Sequence, residues 1–242
     1  MDYKGEFYDN YVSGHTSSLY GEISLGGIKS QFPAWESYFG KLLPENKDAK
    51  ILDIGCGYGG FVCWLREKGF KNAEGVDISR EQIELGRKLG IEGLKEVDLH
   101  EILGKGKGSY DALVARDILE HFSKNEVVDV LKLAQGALSN GGVCLIQTAN
   151  AENLLWGRLR HGDFTHDIAF TEQSIRQVLG TAGFKDVRVF PQRPVVHGVA
   201  SFIRLALWFL VELALHAYLL VETGSARGIF TQNIIVSAKK GL

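Results

Sequence analysis

From residue 30 onward the apolar positions Phe32, Trp35, Phe39 and Leu42 recur at spacings of three and four, which predicts an amphipathic helix ended by Pro44. Residues 1 to 29 hold no sustained period and are rich in Gly, Ser and Tyr, the pattern of an irregular arm with at most one short helix. Beyond Pro44 the pattern becomes regular. A short apolar run at 50 to 54 opens into a glycine turn, and 61 to 70 follows as a helix closed by Gly69. Residues 72 to 78 read as a second strand, and Ser79 with Gln82 caps a helix that ends at Gly90. Residues 94 to 99 read as a third strand, 105 to 108 as an exposed loop and 110 to 116 as a fourth strand. Ser123 with Glu126 caps a helix to about Ser139, and Asn140, Gly141 and Gly142 turn the chain into a fifth strand. Residues 171 to 184 put Ile175, Val178 and Leu179 on one helix face, and strands follow near 186 to 190 and 230 to 238.

Strands that alternate with helices require a parallel sheet covered on both faces. The expected fold is α/β, doubly wound and Rossmann-like, with a seven-stranded, mostly parallel sheet whose final strand runs antiparallel. In such sheets ligands sit beyond the carboxyl ends of the strands. Composition narrows the picture further. A chain of 242 residues, 45% apolar with 4 prolines, suits one domain. Its net charge of -2 offers no general attraction to polyanions, so nucleic acid is not an expected partner. Three cysteines without metal-ligand spacing read as small hydrophobes in a reducing cytoplasm, and 1 to 11 lacks the pattern of a secretion signal.

The strand ends carry Asp53 before the glycine turn, then Asp77, Asp98, Arg116 with Asp117, and Thr148 with Asn150. Gly55, Gly57 and Gly60 have the G-x-G-x-x-G spacing of a dinucleotide site, and Asp77 lies where an acid can accept ribose hydroxyls. Asp53 argues against a diphosphate, because like charges 4 Å apart repel by about 1 kcal/mol in water and by several times that at a protein surface. A cationic, adenosine-bearing ligand reverses the sign.

The D-x-G-x-G at 53 to 57, with Asp77 and Asp98 ending the next two strands, resembles class I S-adenosylmethionine-dependent methyltransferases. The resemblance implies S-adenosylmethionine as cofactor, with Asp53, Gly55, Cys56 and Gly57 near its methionine part. It places Asp77 and Ile78 at the ribose and Asp98 with Leu99 at the adenine, with Arg116 at the rim and Tyr11 of the arm as a covering contact. The single domain then divides into an arm and helix (1 to 49), a cofactor-binding core (50 to 150) and an acceptor-side region (151 to 242) with a helical insertion at about 195 to 224.

Methyl transfer to oxygen needs a proton acceptor, and histidine is the natural one at neutral pH. The segment 115 to 122, ARDILEHF, resembles the E-x-x-E-H stretch of ubiquinone-biosynthesis O-methyltransferases, with Asp117 replacing the first Glu. That resemblance implies Asp117 and His121 in catalysis and, with Glu120, a set for a divalent metal such as Mg²⁺; the plainer alternative is that Glu120 and His121 cap the next helix. The segment 158 to 175 resembles the H-x-x-x-F-T stretch of sugar and polysaccharide-cluster methyltransferases, with His166, Phe170 and Thr171 in the matching places. His166 is the second base candidate, Thr171 and Phe170 read as N-cap and staple, and Arg158, Arg160 and His161 read as a phosphate clamp or a solvated loop face. The expected activity is O-methylation of a sugar or polysaccharide-precursor hydroxyl. The alternatives are a quinone- or phenol-type O-methyltransferase and a non-enzymatic S-adenosylmethionine sensor or scaffold.

One stretch stands apart. Residues 205 to 221 are apolar but for Glu212 and His216, and as a helix they reach about 26 Å, short of a bilayer core. Arg204, Glu212 and His216 fall on one side of it. Packing on the domain or a homodimer interface is the expected role, with peripheral contact to a membrane, serving a lipid-linked saccharide acceptor, as the other reading.

Overall fold

The computed structural model describes residues 23–241, so Tyr11 and the rest of the N-terminal arm through residue 22 lie outside the described residues. The described chain opens with α1 (Leu25–Lys29) and α2 (Phe32–Phe39), the latter burying Trp35 and Phe39 at the expected spacing. Strands and helices then alternate: β1 (Ile51–Ile54), α3 (Gly60–Glu67), β2 (Ala73–Asp77), α4 (Arg80–Lys88), β3 (Leu94–Glu96), α5 (Leu99–Lys105) and β4 (Tyr110–Arg116). A 3₁₀ turn (Leu119–His121) leads to α6 (Lys124–Ala137), whose start is the expected reciprocal cap of Ser123 and Glu126. There follow β5 (Leu138–Ala149), α7 (Trp156–Arg160), α8 (Glu172–Thr181), β6 (Phe184–Pro191), α9 (Val199–Thr223) and β7 (Asn233–Lys240).

The seven strands form one sheet in the order β3-β2-β1-β4-β5-β7-β6. All neighbours are parallel except at β7, which is antiparallel to both β5 and β6. Chain order reverses between β1 and β4, so the crevice at the switch point opens beyond their carboxyl ends. Strand periodicity assigns the faces. Leu52, Ile54, Leu113 and Ala115 pack with α6 and α8 residues such as Val130, Leu131 and Ile175. Ile51, Ala112 and Val114 pack on the other face with Trp35, Phe39, Phe61 and Trp64.

Two readings of the pattern need correction. The third strand stops at Glu96, and Asp98, instead of ending it, is the N-cap of α5, accepting from His100 N and Glu101 N. The period of Leu99, Ile102 and Leu103 marks that helix, and all three side chains join the core. The second concerns the packing expected of α9, which the domain covers along one side only: Ser201 and Glu212 are its buried residues, and its large apolar side chains are mostly exposed.

Candidate active site

The glycine turn after β1, the ends of β2 and β3 and the 3₁₀ turn after β4 enclose an open cavity of about 210 Å³. Gly55 and Gly57 adopt φ of 66° and 55°, a region costly for a side chain. A Cβ on Gly55 would overlap the Ile118 Cδ1 atom that forms the facing wall. Asp77 braces this turn, its Oδ2 accepting from Gly57 N and its Oδ1 from Ser79 N, each at 2.8 Å. Burial pushes its carboxyl up, against those amide hydrogen bonds. Asp77, Ile78, Asp98 and Leu99 line the cavity with Gly55 and Gly57, while Asp117, Ile118, His121 and Phe122 form its far side.

Asp53, Cys56 and Arg116 stand outside that lining. Asp53 and Arg116 share strand parity with the residues facing Trp35 and Phe61, and the Arg116 guanidinium stacks 4.9 Å and 4.7 Å from those two rings. Cys56 Sγ turns toward Gly75, where a Cβ would collide with it. Asp53 is buried directly beneath the turn, its Oδ1 without a hydrogen-bond partner. Burial raises its carboxyl to about 7 against the pull of Arg116, with Asp77 and Asp117 adding repulsion.

That shift has a sign. The folded-state pKa exceeds the unfolded value, so the folded chain holds the extra proton between about pH 4 and pH 7, and stability falls as pH rises through that window. Asp53→Asn removes the penalty. Its thermal midpoint should exceed that of the wild type by about 5 °C at pH 8 and match it near pH 4, read by differential scanning calorimetry.

A second cluster forms where two loops meet. The Glu120 carbonyl in the 3₁₀ turn accepts from Asp167 N at 2.8 Å, and Phe170 N donates to Ala149 O at the end of β5. These bonds pin the segment 163–168 against the turn that carries His121. Thr165 Oγ1 donates to Asp163 Oδ1 at 2.6 Å and lies 2.8 Å from His121 Nδ1. A carboxylate only accepts, so the hydroxyl proton is committed to Asp163 and the His121 Nδ1–H donates to Thr165. His166 Nδ1 lies 2.9 Å from the Leu159 carbonyl, which also only accepts. Nε2 is therefore the basic nitrogen of both imidazoles, and their rings meet edge to face with centroids 4.6 Å apart.

The metal set expected from the sequence is not the one the fold gathers. Asp117, at φ 51°, accepts from Gln147 Nε2 at 2.6 Å, and Glu120 accepts from Thr148 Oγ1 at 2.9 Å, so both carboxylates turn toward β5. Among the described residues the ligand atoms that converge, within 4.8 Å of one another, belong to His121, Asp163 and His166. Burial raises both Asp117 and Glu120, the latter to about 8, with repulsion from Asp117 and Asp163 adding to it. Asp163 and Thr165 lie inside the segment singled out in the sequence, where the spacing D-x-T-H is their only signal. Thr171 caps α8 through Ser174 and Phe170 is buried, the duties expected of both. Arg158, Arg160 and His161 sit on and just after α7, near the surface.

Known proteins share the family and the fold of this chain. Residues 29–189 match the family described as a methyltransferase domain. The chain is 31% identical over 129 residues to an uncharacterized protein of Rickettsia prowazekii, covering 48% of this chain and 50% of that one. It is 28% identical over 109 residues to a probable fatty acid methyltransferase of Pseudomonas putida, covering 43% and 28%. The chain spans half or less of the length of these curated relatives. The crystal structure of a SAM-dependent methyltransferase from Archaeoglobus fulgidus shares the fold, with a TM-score of 0.65 at 21% identity over 99% of this chain and 100% of that one.

Proposed function

The chain belongs to the class I S-adenosylmethionine-dependent methyltransferases, and on that premise we propose that it methylates a hydroxyl oxygen, the acceptor being a sugar or polysaccharide precursor. One observation carries the choice of oxygen: His121 lines the cofactor cavity with its Nδ1–H held by the Thr165–Asp163 pair, which makes Nε2 the nitrogen that takes a proton.

The residues present fit the cofactor. The buried, unpartnered Asp53 Oδ1 complements a cation, the Gly55 position admits no Cβ, and exposed Ile78 offers an apolar wall to a flat ring. Gly55 and Gly57 would sit against the methionine part, Asp77 and Ile78 at the ribose, and Asp98 and Leu99 at the adenine. The cofactor supplies a methyl group on a positively charged sulfur. The protein's share is then positioning and one proton transfer. Asp163 holds Thr165, Thr165 holds His121 in a single tautomer, and His121 Nε2 would accept the proton of the acceptor's hydroxyl. The positive charge that develops on His121 is stabilised by the Asp163 carboxylate through the threonine. The strained Asp117 backbone fixes the turn from which His121 projects.

The saccharide acceptor is supported by the likeness of 158 to 175 to sugar-modifying methyltransferases, whose histidine position here, His166, meets His121 edge to face. Methyl transfer from labelled cofactor to a nucleotide sugar, a lipid-linked saccharide, a catechol and phosphoethanolamine tests the reading. Turnover of the saccharides is expected to exceed that of the others by at least about tenfold, and a preference for the catechol would move the acceptor to the quinone class.

A further inference from the structure

Helix α9 exposes what a surface helix ordinarily buries. It is 25 residues long, and only 6% of its most apolar window is buried. At 100° per residue, the positions from 201 to 219 that the domain covers wholly or partly, among them Ser201, Trp208, Glu212, Leu215, His216 and Leu219, gather within about 100°. Opposite it, an apolar arc about 200° wide carries Phe202, Ile203, Leu207, Leu210, Leu213 and Val221, all at least half exposed. Tyr218 is the sole polar side chain in that arc from residue 199 to 221, and Arg204 and Glu222 fall at its edge.

The width of the arc identifies what covers it. Packing of one helix against a partner uses a stripe of roughly 100°, so a second copy laid on α9 would leave about half of the apolar arc in water. Hydrocarbon covers all of it. The fold also fixes how the helix meets the lipid. Glu212 accepts from Arg193 Nε at 2.9 and 3.1 Å, and Tyr38 Oη on α2 donates to the Arg193 carbonyl at 2.6 Å. Further along, His216 Nδ1 donates to Ala226 O at 2.6 Å and its ring packs on Phe230. The domain therefore holds one side of α9 over several turns, and the helix cannot stand across a bilayer without drawing the domain in.

A second exposed apolar segment hangs from the same stretch of chain. Leu154, Leu155, Trp156 and Phe164 are exposed, and the loop that bears them is tied to 229–230 by Asn153 Nδ2 donating to Phe230 O and Ile229 N donating to Glu152. Arg158 and Arg160 follow at once, suited to acidic headgroups, and the Leu159 carbonyl between them orients His166.

We propose that α9 lies in the plane of a phospholipid leaflet with its apolar arc in the acyl region, and that the 154–164 loop enters the same interface beside it. The active-site loop 163–168 is then held at the lipid surface, within reach of an acceptor whose apolar part stays in the membrane. This assignment concerns where the protein works and stands whether or not the acceptor is a saccharide.

Flotation of the full chain with vesicles of phosphatidylcholine and phosphatidylglycerol tests it. The protein should float with the vesicles, more strongly with phosphatidylglycerol present, and alkaline carbonate should release it. The variant carrying Leu207→Gln, Leu210→Gln and Leu213→Gln should lose at least about tenfold in vesicle binding. Since those side chains are exposed, its thermal midpoint and its calorimetric affinity for S-adenosylmethionine should stay unchanged. An environment-sensitive dye on Leu210→Cys should shift to the blue when vesicles are added. Absence of flotation and dye shift, a vesicle-free dimer cross-linked through α9, or resistance to carbonate would each overturn the proposal.

Discussion

Replacing His121 by alanine should lower kcat by about 10²–10⁴ while leaving the calorimetric affinity for S-adenosylmethionine within about threefold of the wild type. The expectation rests on position and tautomer together. His121 lines the cavity, and Thr165 fixes its Nδ1 proton, so that Nε2 is the basic nitrogen. His166 is not in the cavity lining, so His166→Ala should cost less. Thr165→Val removes the link to Asp163 without touching the cavity, which makes Thr165 a positioning residue: kcat should fall while KM for the acceptor holds. A His121→Ala enzyme with full turnover would remove the proton-transfer step from this account.

The second large effect lies at the cofactor turn. Gly55→Ala should weaken S-adenosylmethionine binding by tenfold or more, about 1.4 kcal/mol or above. The backbone at φ 66° costs a side chain roughly 1–2 kcal/mol, and the new Cβ displaces Ile118 into the cavity. Gly90→Ala supplies the control. Gly90 has φ 78° but open space around it, so the variant should lose a few degrees of thermal stability and keep its cofactor affinity.

The parts of this protein that repeat a local rule were legible in its sequence. Ser123 with Glu126 announces a helix start through two hydrogen bonds that involve only neighbours, and Gly55 and Gly57 announce a turn that side chains resist. The alternation of such elements leads to a doubly wound sheet with an antiparallel last strand, which is the observed topology. The active-site partnership was less visible because it joins residues 44 apart in the chain. His121 and Thr165 meet through the bonds that Glu120 makes to the 163–168 loop, and no spacing rule encodes that contact. Asp117 and Glu120 looked like metal ligands beside His121 until the fold aimed them at Gln147 and Thr148. The extent of α9 packing was hidden for a different reason. Its apolar residues matched a buried helix in composition, yet they surround most of its circumference, and a helix on the sheet's periphery can bury only one side.

The atom that receives the methyl group separates oxygen from nitrogen and carbon transfer. Incubation of the full chain with carbon-13-methyl S-adenosylmethionine and saccharide acceptors, free and lipid-linked, followed by nuclear magnetic resonance of the product, distinguishes methyl on oxygen, nitrogen and carbon. A methoxy signal on the saccharide that depends on His121 is the expected result. An N-methyl or C-methyl product, formed as well by the His121→Ala variant as by the wild type, would contradict it.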